Sequence, residues 1–288
     1  MILKFLLAAA VSITGLMSVS GQENPAYRLY NTEGKEIKYS AMLKGITGAD
    51  AVFLGELHNN PIAHWIELEV TEYLFEQKGS SLVLGAEMFE RDDQLIINEY
   101  LAGLYDASKF EAEVKLWKNY KTDYRPLVEF SRENGLPFIA TNIPRRYASM
   151  VNKGGFEALD SLSGKALGYL APLPFPYDPE LKCYSDMMQM GGGHATENLP
   201  KAQAAKDATM AWSLAENWSE GKVLIHYNGS YHSKNHQGII WYLNHYLPGM
   251  EIVTIEIVSQ YDISTLEEEN IGIADFIIAV PANMTTTY

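Results

Sequence analysis

Residues 51–90, AVFLGELHNNPIAHWIELEVTEYLFEQKGSSLVLGAEMFE, decide the fold. They open on a continuous apolar run, 51–55, of the kind that forms a strand buried on both faces. Pro61 suits the first turn of a helix, where its missing N–H costs nothing. That helix runs to about Lys78 and stops before Gly79. A second apolar run, 81–89, follows as another buried strand. Strand, helix and strand in this order make a βαβ unit, which predicts a parallel sheet covered by helices.

Working outward, AYRLYNTEGKEIKY (26–39) alternates around Glu33-Gly34 and predicts a hairpin. Downstream, 92–132 has helical spacing, LPFIATN (136–142) reads as a third strand, and Pro144 opens another helix. Residues 156–200 lose clear periodicity. Pro172, Pro174, Pro176 and Pro179 cluster there, and Gly191 to Gly193 form a run, which predicts a helical insertion or lid. AAKDATMAWSLAENW (204–218) is a long helix that ends by Gly221. The last third returns to strand (222–229), helix (238–247), strand (250–258) and strand (275–280). The expected architecture is a single α/β domain, 22–288, with a central mostly parallel sheet flanked by helices and a helical insertion subdomain at about 92–220.

The first residues read as a secretory leader: Lys4, an apolar run 5–17, then Ser18, Ser20 and Gly21. The run is shorter than the roughly 20 residues a spanning helix needs, so cleavage near Ser20 or Gly21 is expected. No later stretch is apolar enough to cross a bilayer. The sequence therefore predicts a soluble protein exported to the periplasm or cell envelope. Its only cysteine is Cys183, so the chain makes no internal disulfide and offers no N-terminal lipid attachment. The formal charge is −14, and losing Lys4 makes it more negative still. Such acidity argues against nucleic acid or an anionic membrane as a partner.

Chemistry collects at predicted strand ends, the edge of an α/β sheet where ligands gather. Glu56 and His58 follow the first strand. Glu87 ends the second, with Glu90 and Arg91 behind it, while His226 lies on VLIH and GSYHSKNH supplies His232 and His236. GELH (55–58) and GSYH (229–232) repeat one Gly-x-x-His pattern. The predicted catalytic rim is Glu56, His58, Glu87, Arg91 and His232, and the predicted metal set is His58, His232, Glu56 and Glu87. Glu87 stands inside an apolar run, so it needs a partner. Arg91 can pair with Glu87 or Glu56, hold a substrate carboxylate in a fork, or serve a purely structural ion pair. For His64, one turn into a helix, and for His226, on a strand, a packed structural role is equally open. His236 and His245 read as surface or helix residues.

The combination LGELHNNPIAHW, LGAEMFERDDQ, TNIPRR and HYNGSYHSKNHQGIIWYL resembles the ChaN family of bacterial haem-binding, iron-regulated exported proteins. That family is grouped with the TIKI metalloproteases and TraB-like proteins, and more distantly with the erythromycin esterases. The resemblance spans about Ala51 to Val258. It sets Gly55 and His58 on the first Gly-x-x-His, Gly229 and His232 on the second, and Glu56, Glu87 and Arg91 between them. It implies haem as ligand, a homodimer around it, and a membrane transport partner in haem or iron uptake. Tyr, Met and His all ligate haem iron. The candidate cofactor-binding residues are Tyr169, Tyr177, Tyr184 and His194, the last two in YSDMMQMGGGH, whose methionines at helical spacing also suit core filling. The alternative is a metal-dependent hydrolase, a TIKI-like peptidase or esterase, with a divalent metal on the Glu/His rim and a carboxylate activating water.

Overall fold

The computed structural model describes residues 24–190 and 197–288. The expected leader and His194 lie outside them. Seven strands form one sheet: β1 (Arg28–Asn31), β2 (Ala51–Glu56), β3 (Leu82–Glu90), β4 (Phe138–Asn142), β5 (Val223–Gly229), β6 (Ile252–Gln260) and β7 (Phe276–Pro281). Their spatial order is β1-β7-β6-β2-β5-β3-β4. Only β1 runs antiparallel to its neighbour, β7. Strands β2 and β5 are buried along their whole length, as a parallel sheet covered on both sides requires.

Helices α1 (Tyr39–Ile46), α2 (Pro61–Lys78), α3 (Gln94–Leu101), α4 (Ala107–Glu113) and α5 (Arg125–Asn134) precede β4 or surround β2 and β3 in sequence. After β4 come α6 (Arg145–Gly154), α7 (Gly164–Leu167), α8 (Lys182–Met190), α9 (Leu199–Asn217) and, past β5, α10 (Ile239–Tyr246). Alternate side chains of β2 serve different cores. Val52 and Leu54 pack with Ala63, Ile66, Val70 and Leu74 of α2 and with Leu127 and Val128 of α5. Ala51 and Phe53 pack with Val151 of α6, Ala204, Ala208 and Leu214 of α9, and Ile239 and Leu243 of α10. Strand β4 runs through the middle of residues 92–220, so the helices of that span part to opposite faces of the sheet.

Local signals explain the helix ends. Asn60 caps α2, its Oδ1 accepting from Ile62 N at 3.0 Å and Ala63 N at 3.1 Å, with Pro61 in the first turn. Helix α5 stops at Gly135 in the left-handed region, φ 64°. The hairpin expected at 26–39 is not the real pairing. It reduces to one bridge, Tyr30–Glu36, while β1 joins the sheet edge through β7 and Tyr39 opens helix α1. A strand of this length gains more from an existing sheet than from an isolated two-stranded ribbon. No helix among the described residues is long and apolar enough to cross a membrane.

The cap of α2 gives a direct test. Asn60→Ala leaves two N–H groups without their acceptor and should cost about 1 kcal/mol of stability, read as a lowered urea midpoint at unchanged slope.

Candidate functional site

A strand's alternation sends Glu56 and Glu87 to opposite faces of the sheet. Glu56 follows Val52 and Leu54 toward α2, whereas Glu87, one position past Ala86, faces the side of α9. His58, two residues beyond Glu56, closes the gap. Its Nδ1 meets Glu56 Oε1 at 2.5 Å, and its ring stands edge-on to Trp117 at 4.8 Å. Its Nε2 lies 2.6 Å from where a Cβ on residue 229 would be. Gly229 is therefore needed for close approach, and its φ of −58° asks nothing special of the backbone. Gly55 is needed for the same reason, because a Cβ there would collide with the Glu256 carboxyl. Both Gly-x-x-His glycines thus make room for a neighbouring side chain.

On the α9 side, Glu87 Oε2 accepts from Gly229 N at 2.8 Å and its Oε1 lies 3.2 Å from His232 Nε2. His232 Nδ1 is bonded to Asp207 of α9, whose other oxygen accepts from Tyr184 Oη at 2.8 Å. All three ionisable groups of this relay are buried. Burial opposes the charge of Glu87, but His232, His58 and the Gly229 N–H outweigh it and hold the carboxyl down to about 2. Burial likewise opposes the His232 charge, and Glu87 and Asp207 overcome it, raising the imidazole to about 10. His58 is raised the same way, against burial, by Glu56 and then Glu87.

On the α2 side, Tyr124 Oη donates to Glu56 Oε1 at 2.7 Å. His64 Nδ1 lies 3.3 Å from Glu56 Oε2 and 3.1 Å from Glu67 Oε2. Its Nε2 faces the His58 carbonyl at 3.2 Å and Asp123 Oδ2 at 3.4 Å. Burial opposes the Glu56 charge, yet hydrogen bonds from His58 and His64 keep its carboxyl well below the usual range. Glu67 goes the other way: burial, then the neighbouring Glu56 charge, push it well above. His64 is thus a buried member of an acidic cluster, resolving the choice its sequence position left open. His226 is buried between Thr141 and Asn228, each at 2.9 Å, and burial lowers it to about 4.

Over these pairs opens a cleft of 1080 Å³. Glu56, His58, Glu87 and His232 line it, together with Trp117, Ile143, Arg145, Lys206 and Tyr231. Arg91 does not reach Glu87 or Glu56. Its guanidinium donates to Ser213 Oγ at 2.6 Å and pairs with Glu216 at 2.8 Å, pinning β3 to α9. Tyr169 and Tyr177 pack at the margin of the α9 core and Tyr184 is buried inside it, so these three are placed apart from the cleft lining. Glu87 and His232 spend their carboxylate and ring atoms on each other, on the Gly229 N–H and on Asp207, and His58 gives its Nδ1 to Glu56. Among the described residues, the three-residue set with donor atoms close enough for one ion is instead Glu56, His64 and Glu67.

Sequence reading missed Asp207, Glu67 and Tyr231. Asp207 sits on the buried face of α9 between Ala204 and Ala211, and Glu67 lies on the buried stripe of α2 beside Ala63, Ile66 and Val70. An acid on an inward stripe was the available signal. Tyr231, inside GSYH itself, is half exposed at the mouth.

Comparison with known proteins fixes the family. The chain belongs to the haem-binding uptake family of the Tiki superfamily, ChaN, whose family model matches residues 42–243. It shares its fold with a Campylobacter jejuni ChaN solved with cofacial haem, at 18% identity and TM-score 0.67, covering 89% of this chain and 98% of that one. An erythromycin esterase, EreC, in its open conformation superposes at TM-score 0.53 and 11% identity, over 89% of this chain and 97% of the esterase. The chain is also 23% identical over 191 residues to protein RETICULATA-RELATED 5, chloroplastic, of Arabidopsis thaliana. It spans 61% of this chain but about a quarter (26%) of that relative's length.

The buried relay carries a pH prediction. The Glu87 contribution is present above its ordinary value of 4.5 and is lost as pH falls through about 2. The His232 contribution is present below its ordinary 6.5 and is lost as pH rises through about 10. His232→Gln should therefore destabilise by about 3–5 kcal/mol between those ordinary values, and the gap from wild type should close toward pH 10. Urea titrations across that range measure it; a gap unchanged up to pH 10 would show that the imidazole carries no charge in the fold.

Proposed function

We propose that this protein binds haem in the cleft at the strand ends, as an exported carrier in haem and iron acquisition. The observation that supports this reading is the build of the cleft. Its 1080 Å³ exceeds the usual span of about 300–1,000 Å³ for small-molecule pockets. Trp117, Met88, Ile143, Ala148 and Leu199 supply apolar wall, and Arg145 and Lys206 stand on the lining of an otherwise strongly acidic chain. A flat apolar macrocycle with two carboxylates asks for that combination. Residues able to reach its iron are His58, whose Nδ1 is held by Glu56 as ligating histidines usually are, and Tyr231 at the mouth. Bound haem would supply the visible spectrum and an iron centre; this chain's part is to seat the ring and hold its propionates.

Tyr231 and Tyr288 are 50% and 49% exposed at the open side. That open side is where a second copy would cover the ligand, in keeping with cofacial binding in the Campylobacter protein. A membrane transport partner completes the uptake reading. Hemin titration should give a Soret band with a defined endpoint, and Tyr231→Phe or His58→Ala should shift it. Removing Arg145 and Lys206 together should weaken binding about tenfold, or roughly 1.4 kcal/mol. A featureless hemin spectrum would remove this reading.

One observation favours hydrolysis as a second reading. Two carboxylate-backed histidines, His58 on Glu56 and His232 on Asp207, flank Gly229 with Glu87 between them. General acid–base catalysis uses such a pair, the charged His232 serving as an acid, with a divalent metal as an added electrophile if one binds. Activated-ester hydrolysis at the same rate in wild type, His58→Ala and His232→Gln would exclude it.

A further inference from the structure

We propose that Glu56, His64 and Glu67 form a buried binding site for a divalent first-row transition cation, beneath the cleft and sharing Glu56 with its lining. The three residues come from β2 and the inward face of α2, and all are buried. Their donor atoms lie within 4.8 Å of one another. A metal with bonds of about 2.1 Å sets its ligand atoms about 3.0 Å apart at octahedral angles and about 3.4 Å apart at tetrahedral ones. The two edges from His64 Nδ1, 3.1 Å to Glu67 Oε2 and 3.3 Å to Glu56 Oε2, fall inside that interval.

The surroundings fit the same assignment. His64 Nε2 faces two acceptors, the His58 carbonyl and Asp123 Oδ2, so it keeps a hydrogen while Nδ1, turned to the two glutamates, gives up its own on binding a cation. Ligating histidines are commonly oriented in this manner by their second nitrogen. Asp123 is itself fixed, accepting from Asn119 Nδ2 at 2.7 Å and Thr287 Oγ1 at 2.8 Å. Glu56 Oε1 is occupied by Tyr124 and His58, which leaves Oε2 for the cluster.

An independent observation points to a missing partner. Glu56 Oε2 and Glu67 Oε1 are buried and accept no well-formed hydrogen bond. Three buried carboxyls here face a single imidazole. A proton on His64 Nδ1 serves only the oxygens nearest it, and any carboxyl oxygen left bare costs about 1–3 kcal/mol in desolvation. One divalent cation neutralises both glutamates and gives Glu56 Oε2 a partner. One imidazole with two carboxylates is a mixed N and O set, which suits Zn²⁺ or Mn²⁺ better than Mg²⁺.

The test uses the full mature chain, freed of metal by chelator and titrated with Zn²⁺ and Mn²⁺ by calorimetry. One of the two should bind at one equivalent per chain and raise the melting temperature. The isosteric Glu67→Gln variant should weaken binding at least a hundredfold and lose that rise, while remaining folded by circular dichroism. Asp123→Asn should weaken it about tenfold, as outer partners of ligands do. His232→Gln should bind metal as wild type does, which separates this site from any metal on the cleft rim. Co²⁺ bound in the same site should show visible d–d bands that Glu67→Gln abolishes. No metal uptake by wild type, or equal uptake by Glu67→Gln, overturns the proposal, as does loss of binding in His232→Gln. Hemin titration of Glu67→Gln reports separately on the cleft, so the haem reading stands or falls on its own.

Discussion

His58 Nε2 occupies the space a Cβ on Gly229 would take, and what the two faces of the sheet share follows from that contact. The pleat divides the acids: Glu56 belongs to the α2 face and Glu87 to the α9 face. Without a bridge they would be two unrelated buried carboxylates, each needing its own counter-charge. Because His58 crosses the tips of β2 and β5, it bonds Glu56 with one nitrogen and turns the other toward Gly229 and Glu87. Any side chain at 229 would push the ring away and separate the halves. The strand ends thereby become one cleft floor.

The sequence displayed the sheet well because its central strands are continuous apolar runs, and burial on both faces leaves no other pattern for them. The first pairing was harder. Residues 26–39 alternate and carry a Gly turn, which is local evidence for a hairpin, while the winning partner β7 lies about 250 positions away and is invisible to any local window. Site residues divide the same way. Glu56, His58, Glu87 and His232 were legible because they terminate apolar runs or sit beside a glycine. For Arg91 the sequence left Glu87, Glu56, a substrate or a structural ion pair open, and its partner Glu216 is brought to it only by α9. Asp207 and Glu67 escaped notice among helical residues, where a charged side chain usually means solvent; only packing shows that each faces inward.

Charge placement also links the cleft to the fold. In a chain of net charge −14, strong local acidity at a binding site for a dicarboxylate ligand would repel it. Most acids of this site are sequestered instead, and Glu90, also on the lining, faces Arg145. Glu56, Glu87 and Asp207 are each covered and paired with an imidazole, and Lys206, beside Asp207 on α9, is part of the cleft lining. The negative groups that orient the histidines are thus below the surface, and the cationic groups Arg145 and Lys206 are on the lining.

Glu56 occupies the joint between these levels. Its Oε1 is committed upward to His58 and Tyr124, and its Oε2 faces down toward His64. A carboxylate cannot rotate to favour one oxygen without moving the other, so His58 and Tyr124 above and His64 below fix the same group. Interior packing leaves little room for that coupling to relax, since Ala63, Ile66 and Val70 around the cluster are fully buried. Glu56 is thus shared by the cleft lining and the lower cluster, with no part of the sheet between them.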